Sequence, residues 1–580
     1  MRPPSPMPPC LSRCLSRCLS LLGSCIAVLM ILGCASAAAQ APVDDPNACD
    51  AVGDAPNVIV GDLYEIQRWG HLGNITAFSV GTFSCNIGTC WLNWITGGDT
   101  NAHPTIGQNM FRLKDGRFEQ LGQSWLKHGF YALSETLCEP DCIATDGEHL
   151  GVNCSDPYSS DLNGAQRRLG PKFEVRPSRG FHPHPVTMQA VEGDEIFKRL
   201  QVHDADLDPA LNVGARYFAE GQYVAEDDAV AGNHHDNVSY RPIDVTAGGP
   251  RNFYDAALAG TTVRMKPAIL AWQEADPSVQ VIVLDDQAGG WFYLAAQATD
   301  LGGGIWHYEY AVQNLDSDRA GRAFSVPVAP GTTITNIGFH DVDYHSGEPY
   351  VGTDWAFGGT VDSLRWNTDD VATDPNANAL RWGTLYNFRF DADRPPAAAI
   401  LGVDLFNPGQ PGEPDTLLGA SIGPDACNGN GSCDPGESCL SCPGECSDAG
   451  PDNDGDGLGF CVDCDANNGG LWGPVGEVPD LRLRRGGTGR VILYWQTPLE
   501  RGSSAPPYEA LRSEIPSDFV TNAACLRSAM RTSRSLTDAD AELAGQRLYY
   551  LVRARSACIV EPGTTGGNSF GVVRSAADCP

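Results

Sequence analysis

Asp452, Asp454, Asp456, Leu458 and Asp463 have the spacing of a calcium loop. Calcium takes six to eight oxygens, and carboxylates on alternate residues of a tight turn converge to supply them. Gly457 stands at the sixth position, where the chain must bend sharply. The Leu458 carbonyl adds a ligand, and Asp463 closes the loop where a longer glutamate is usual. The histidines point to different chemistry. All 12 lie between His71 and His345, and none lies in the rear of the chain. Three clusters stand out: His182-Pro183-His184, His234-His235-Asp236 and His340-Asp341-Val342-Asp343-Tyr344-His345. On an extended strand Asp341, Asp343 and His345 share one face and His340 points to the other. His340, Asp343, His345, His182 and His184 are therefore the candidate ligands of a transition metal, copper or zinc. His103 and His128 stand beside Asn101 and Lys127 in a segment rich in Trp and Gln. For any one of these histidines, a hydrogen-bonded structural role is the commoner fate. The alternating Asp204, Asp206 and Asp208 offer a second calcium site or a solvated loop.

The calcium loop sits in residues 427–465, which hold seven cysteines and almost no apolar residues. Such a stretch cannot form a hydrophobic core, so disulfides and a bound hard cation must order it. With Cys461 and Cys464 interleaved, the aspartate run resembles a thrombospondin type 3 calcium repeat, which implies a calcium-binding stalk. Cys439, Cys442, Cys461 and Cys464 form two CxxC pairs that zinc could also take, but an oxidising compartment favours disulfides.

The elements around these groups read as mainly β. Strand-like runs such as Ile75–Phe83, Arg216–Val224, Trp306–Val312 and Leu385–Phe390 recur, several with a period of two. Helical periodicity is confined to Glu195–Val202 and Pro267–Glu274. Residues 57–396 are expected to form a large β-rich domain, one large β-sandwich or two packed ones, with a possible split near 265. Lys266 to Asp393 resembles an immunoglobulin-like sandwich in strand count and turn spacing. Residues 397–426, rich in Pro and Gly, read as a linker, and 427–479 as the disulfide-rich calcium segment. Residues 480–580 read as a small sandwich. Its Val491-Ile492-Leu493-Tyr494-Trp495 and Tyr549-Tyr550-Leu551-Val552 runs resemble strands of a fibronectin type III domain. That resemblance implies a buried Trp facing a tyrosine corner, and a spacer or binding module instead of a catalyst. Cys525, Cys558 and Cys579 depart from the usual cysteine-free pattern of that family.

Residues 1–39 read as a signal peptide: Arg2, Arg13 and Arg17 precede a 14-residue apolar run, Leu19 to Leu32, and cleavage after Ala39 fits the small-residue rule. Ile31-Leu32-Gly33-Cys34 also resembles a bacterial lipobox, which would put a lipid anchor at Cys34 and the protein at the outer membrane. Residues 40–56 are a polar leader. No later stretch is long and apolar enough to span a membrane. The 16 cysteines beyond the signal peptide form an even set, so complete pairing is possible, although the groups of seven and three need one linking disulfide or leave two thiols free. A net charge of −33 argues against nucleic acid. No GxSxG elbow, HExxH helix, P-loop or Rossmann glycine pattern is present. Two functions remain. One is a secreted or cell-surface calcium-binding protein with a structural or ligand-binding role, its extracellular ligand a polysaccharide among others. The other is a secreted metal-dependent hydrolase or oxidoreductase using the front histidines.

Overall fold

The computed structural model describes residues 48–49, 55–95, 101–248, 253–344, 347–410, 413–427 and 442. In the rear it describes 478–485, 490–498, 503–504, 506–515, 519–520, 523–527, 532–538 and 547–555. Of these residues 49% are in strands and 8% in helices, so the chain is mainly β. All the strand pairings are antiparallel.

Four sheets stack in the front part. The first joins Val58–Leu72, Ile75–Asn86, Leu200–His203 and Ser155–Tyr158. The second is seven-stranded, with Arg216–Val224 and Thr105–Lys114 at its centre. Residues alternate across Arg216–Val224. Tyr217, Ala219 and Tyr223 meet Val58, Leu63 and Phe78 of the first sheet in one core. Phe218, with Phe111, Phe118 and Tyr240, faces the other way onto Ala295, Ala311 and Leu385 of the third sheet. Period-two burial on both faces explains why this sheet lies inside the stack. The third and fourth sheets, five strands each, enclose a core containing Phe292, Tyr310, Phe324, Trp366, Phe388 and Leu401. The Leu270–Ala275 helix lies between the two sandwiches in sequence and packs Trp272 into the middle core.

Two sequence expectations need correction. Pro396–Leu405 and Thr416–Pro424, read as a linker, pair with each other and complete the fourth sheet. Glycine and proline frequency obscured the alternation of Ala399, Leu401, Val403 and Leu405, all buried. Glu195–Val202 is not a helix; Leu200–His203 is an edge strand on Ile75–Phe78, with Leu200 and Val202 buried on one face.

Three disulfides brace the first sandwich: Cys49–Cys90, Cys85–Cys138 and Cys142–Cys154. The first ties the leader to the domain. The stacked sheets are pinned by Arg117, whose guanidinium grips Glu309 with two 2.9 Å hydrogen bonds. Lys172 and Gly383 also meet at this junction, and a Cβ at Gly383 (φ +66°) would stand 2.8 Å from the Lys172 Nζ.

In the rear, Arg482–Arg485, Val491–Tyr494 and Ser535–Asp538 form one three-stranded sheet, and Ala523–Arg527, Tyr508–Ser513 and Tyr549–Ala554 another. Trp495, 4% exposed, packs edge-on against Tyr508. The Tyr550 hydroxyl donates to Asp538 at 2.9 Å. The calcium loop Asp452, Asp454, Asp456, Leu458 and Asp463 lies outside the described residues, as does His345. Among the described residues no helix is long and apolar enough to cross a membrane.

Candidate metal centre

Strand register builds a cluster of three histidines. Leu126–His128 pairs antiparallel with the start of Thr105–Lys114, setting His128 opposite Thr105. His103, two residues earlier, thereby comes beside it, with His103 Nε2 3.1 Å from His128 Nδ1. The segment after the left-handed Gly180 (φ +62°) brings in the third ring. His182 Nε2 lies 3.2 Å from the His103 carbonyl. The ring centroids are 5.3 Å apart for His103 and His128, and 4.7 Å for each of these with His182. One nitrogen from each ring lies within 4.8 Å of the other two. Gly170 is required here: a Cβ would stand 2.6 Å from His128 Nε2 and 2.5 Å from Val186 Cγ1.

Hydrogen bonding constrains the tautomers. His103 Nδ1 faces the Ile95 carbonyl at 3.2 Å and must donate to it. Its Nε2 then carries a lone pair and accepts from His128 Nδ1, which leaves the lone pair of His128 on Nε2. His182 faces two carbonyls, of His103 through Nε2 and of Pro183 through Nδ1. A neutral ring can donate to only one, so one nitrogen keeps its lone pair.

The three rings stay neutral. Burial, followed by the charge of His182, pulls His103 down to about 4. Burial, His182, His103, Lys127 and His184 all push His128 well below its ordinary value. Burial is also the main cause of the lowered pKa of His182. Five other histidines contrast with these, each resting on a carboxylate: His71 on Asp204, His149 on Asp146, His203 on Asp343, His235 on Asp316 and His307 on Asp391. Such pairs fix the orientation of an imidazole. Neutral, desolvated imidazoles facing one another are what a transition metal takes as ligands.

The cluster opens on one side. A cavity of about 160 Å³ is lined by His103, His128 and His184, with Arg168 and Gln189. His184 is exposed at its mouth.

The sequence-based ligand set thus divides. His182 enters the cluster and His184 borders its cavity. His340 and Asp343 do not join them. His340 ends the Ile334–His340 strand, and its buried Nε2 has no hydrogen-bond partner among the described residues. The Asp343 carboxylate is 2.7 Å from His203 Nε2. Asp204 and Asp206 do not converge on an ion either: Asp204 holds His71 and Thr76, and Asp206 holds Arg112. His103 and His128 were visible as histidines, but nothing in their spacing linked them to residue 182. A second grouping, His234, His235 and Asp316, also falls within ligand reach. There Asp316 already binds the Trp291 N–H at 2.7 Å and His235 at 2.9 Å, and His235 stacks on Trp291 at 3.7 Å. That arrangement accounts for itself without an ion.

No family model and no curated protein matches this sequence.

Proposed function

We propose that the chain is an exported metalloprotein whose front domain holds copper or zinc through His103, His128 and His182 and carries out metal-dependent hydrolase or oxidoreductase chemistry. The observation that carries this reading is the convergence of three buried, neutral imidazoles that share no carboxylate among themselves. Two ligands 2.0–2.1 Å from a tetrahedral ion stand on the order of 3.3 Å apart. His103 Nε2 and His128 Nδ1, at 3.1 Å, need only a slight adjustment to admit an ion in place of their shared proton. Three protein ligands with an open fourth side are the pattern of a catalytic metal site, whereas structural sites are closed. The adjoining cavity supplies that open side.

The rest of the chain supports export. The signal-peptide pattern, the three disulfides and the disulfide-bonded Cys525 suit an oxidising compartment outside the cytoplasm. The Asp452–Asp463 loop is read as a structural calcium site in a stalk. The two rear three-stranded sheets support the reading of a fibronectin-like spacer. Signal-peptidase cleavage gives a secreted protein, and lipidation at Cys34 a surface-anchored one.

Elemental analysis of the full chain, purified from an exporting host, tests the reading. About one copper or zinc per chain is expected, lost in His128→Ala and His182→Ala while near-UV circular dichroism is retained. Wild type without a stoichiometric transition metal, even after reconstitution, would refute it. A metal-loaded protein inert toward ester, peptide, glycoside and phenol substrates would instead favour a non-catalytic ligand-binding role.

A further inference from the structure

A separate cavity of about 380 Å³ lies where the Lys172–Arg179 segment of the first sandwich faces the second. That volume lies within the range of small-molecule sites. In a chain of net charge −33, its walls are unexpectedly basic. Lys172, Arg176, Arg179, Arg319 and Arg381 line it, against Asp318 and Glu348.

The cations are unequally engaged. Arg319 is spent on Asp415 at 3.3 Å and Glu413 at 3.9 Å. Arg381 lies over Tyr350, 3.5 Å from the ring centre, and gives Nη2 to the carbonyls of Pro375 and Ala377. Its Nε is buried without a hydrogen-bond partner among the described residues. Lys172 is buried, held by Gln123 Oε1 at 2.8 Å and the Gly383 carbonyl at 3.1 Å, with no carboxylate in ion-pair reach among the described residues. Arg176 and Arg179 are exposed at the rim and form no ion pair among the described residues. Burial holds the Lys172 ammonium down to about 8, a cost that a bound anion would relieve.

The two carboxylates narrow the ligand class. Asp318 accepts from Ser178 at 2.7 Å and shares the wall with Glu348. Carboxylates beside guanidinium forks disfavour a compact polyanion and favour a ligand that also donates hydrogen bonds. A molecule with one carboxylate and several hydroxyls meets both demands, and the Tyr350 and Trp382 rings offer it apolar surface.

We propose that this cavity binds an acidic sugar, a uronic-acid unit whose carboxylate is taken by Arg176, Arg179 and Lys172 and whose hydroxyls donate to Asp318 and Glu348. The site is independent of the histidine cluster and would function without a metal.

The test is calorimetric titration of the full chain, with and without EDTA, using glucuronate, galacturonate, glucose and inorganic phosphate at low salt. At least one uronate is expected to bind saturably, at least about tenfold tighter than glucose, and more weakly as salt rises. The Arg176→Ala/Arg179→Ala variant removes two exposed side chains that make no ion pair among the described residues, so its melting temperature should match wild type. Its uronate affinity should fall at least about tenfold. No uronate binding, glucose binding equal to uronate, phosphate binding in place of uronate, or full affinity in the double variant would each overturn the proposal.

Discussion

His103 Nε2 and His128 Nδ1 stand 3.1 Å apart, although 25 residues of chain separate them. At that distance only one nitrogen carries a proton, and among the described residues neither ring pairs with a carboxylate that would stabilise a charge. The contact depends on the Thr105–His128 register and on the small residue at 170 that lets the ring lie where it does.

Gly170→Ala tests that dependence without removing any ligand. The new methyl would fall 2.6 Å from His128 Nε2 and 2.5 Å from Val186 Cγ1, so the ring or the strand must shift. Overpacking of this kind costs about 1–3 kcal/mol. The variant should fold with a lowered melting temperature and bind copper or zinc much more weakly than wild type. Wild-type metal content in Gly170→Ala would show that the centre does not depend on the position of the His128 ring.

Asp343 should act as the partner of His203 and not as a ligand. The hydrogen bond that His203 Nε2–H donates to the Asp343 carboxylate raises the His203 pKa above 6.5, and the same contact lowers Asp343 below 3.8. A raised histidine pKa stabilises below about 6.5 and loses its contribution as pH rises through the folded value. A depressed aspartate stabilises above about 3.8 and loses its contribution as pH falls through the folded value. The pair therefore contributes most between those limits. Both side chains are well exposed, 38% and 77%, so the effect on stability is within about 1 kcal/mol. In Asp343→Asn, NMR titration should show the His203 midpoint dropping toward 6.5. An unchanged midpoint would contradict the assignment.

Glu309→Gln should weaken the docking of the two sandwiches. Glu309 is 4% exposed in its side chain and takes both arms of Arg117, with His307 Nε2 at 3.3 Å. Arg117 is 27% exposed and keeps Glu119 at 3.5 Å, so losing this charge-assisted contact costs about 1–3 kcal/mol, less than a fully buried pair would. Chemical denaturation should show a loss of that order, and Arg117→Met/Glu309→Leu should recover a large part of it. A loss below about 1 kcal/mol for Glu309→Gln would show that the pair does not pin the sheets.

Asp454→Ala and Asp456→Ala each remove a carboxylate from the proposed calcium loop. Calcium stoichiometry should fall by one, while the melting of the front domain and its transition-metal content stay unchanged. Retention of that calcium in both variants would show that the loop assignment is wrong.

The β-rich character was legible because period-two alternation is a local property. Trp306-His307-Tyr308-Glu309-Tyr310 shows it directly, and Tyr308 and Tyr310 are fully buried. The last two strands of the fourth sheet were not legible. Ala399, Gly402 and Gly419 carry little hydrophobic signal, and only pairing with the Gly321–Pro327 strand shows that the run belongs to a sheet. Among the histidines, the His182-Pro183-His184 motif led to one ligand of the cluster and to a residue at its mouth. The stronger-looking His340-Asp341-Val342-Asp343 run dispersed, because Asp341 turns to Asn378 and Asp343 to His203.

By itself the sequence determined composition-level and local properties: an acidic, cysteine-containing, strand-forming chain with an aspartate loop of calcium spacing. These follow from neighbouring residues, whose geometry is set by the backbone they share. Only the tertiary structure decided which histidines meet. His103, His128 and His182 are brought together by strand register and a left-handed turn at Gly180, which bring residues 25 to 79 positions apart into contact. The basic cavity arose in the same way, from sandwiches whose facing surfaces carry arginines far apart in the chain.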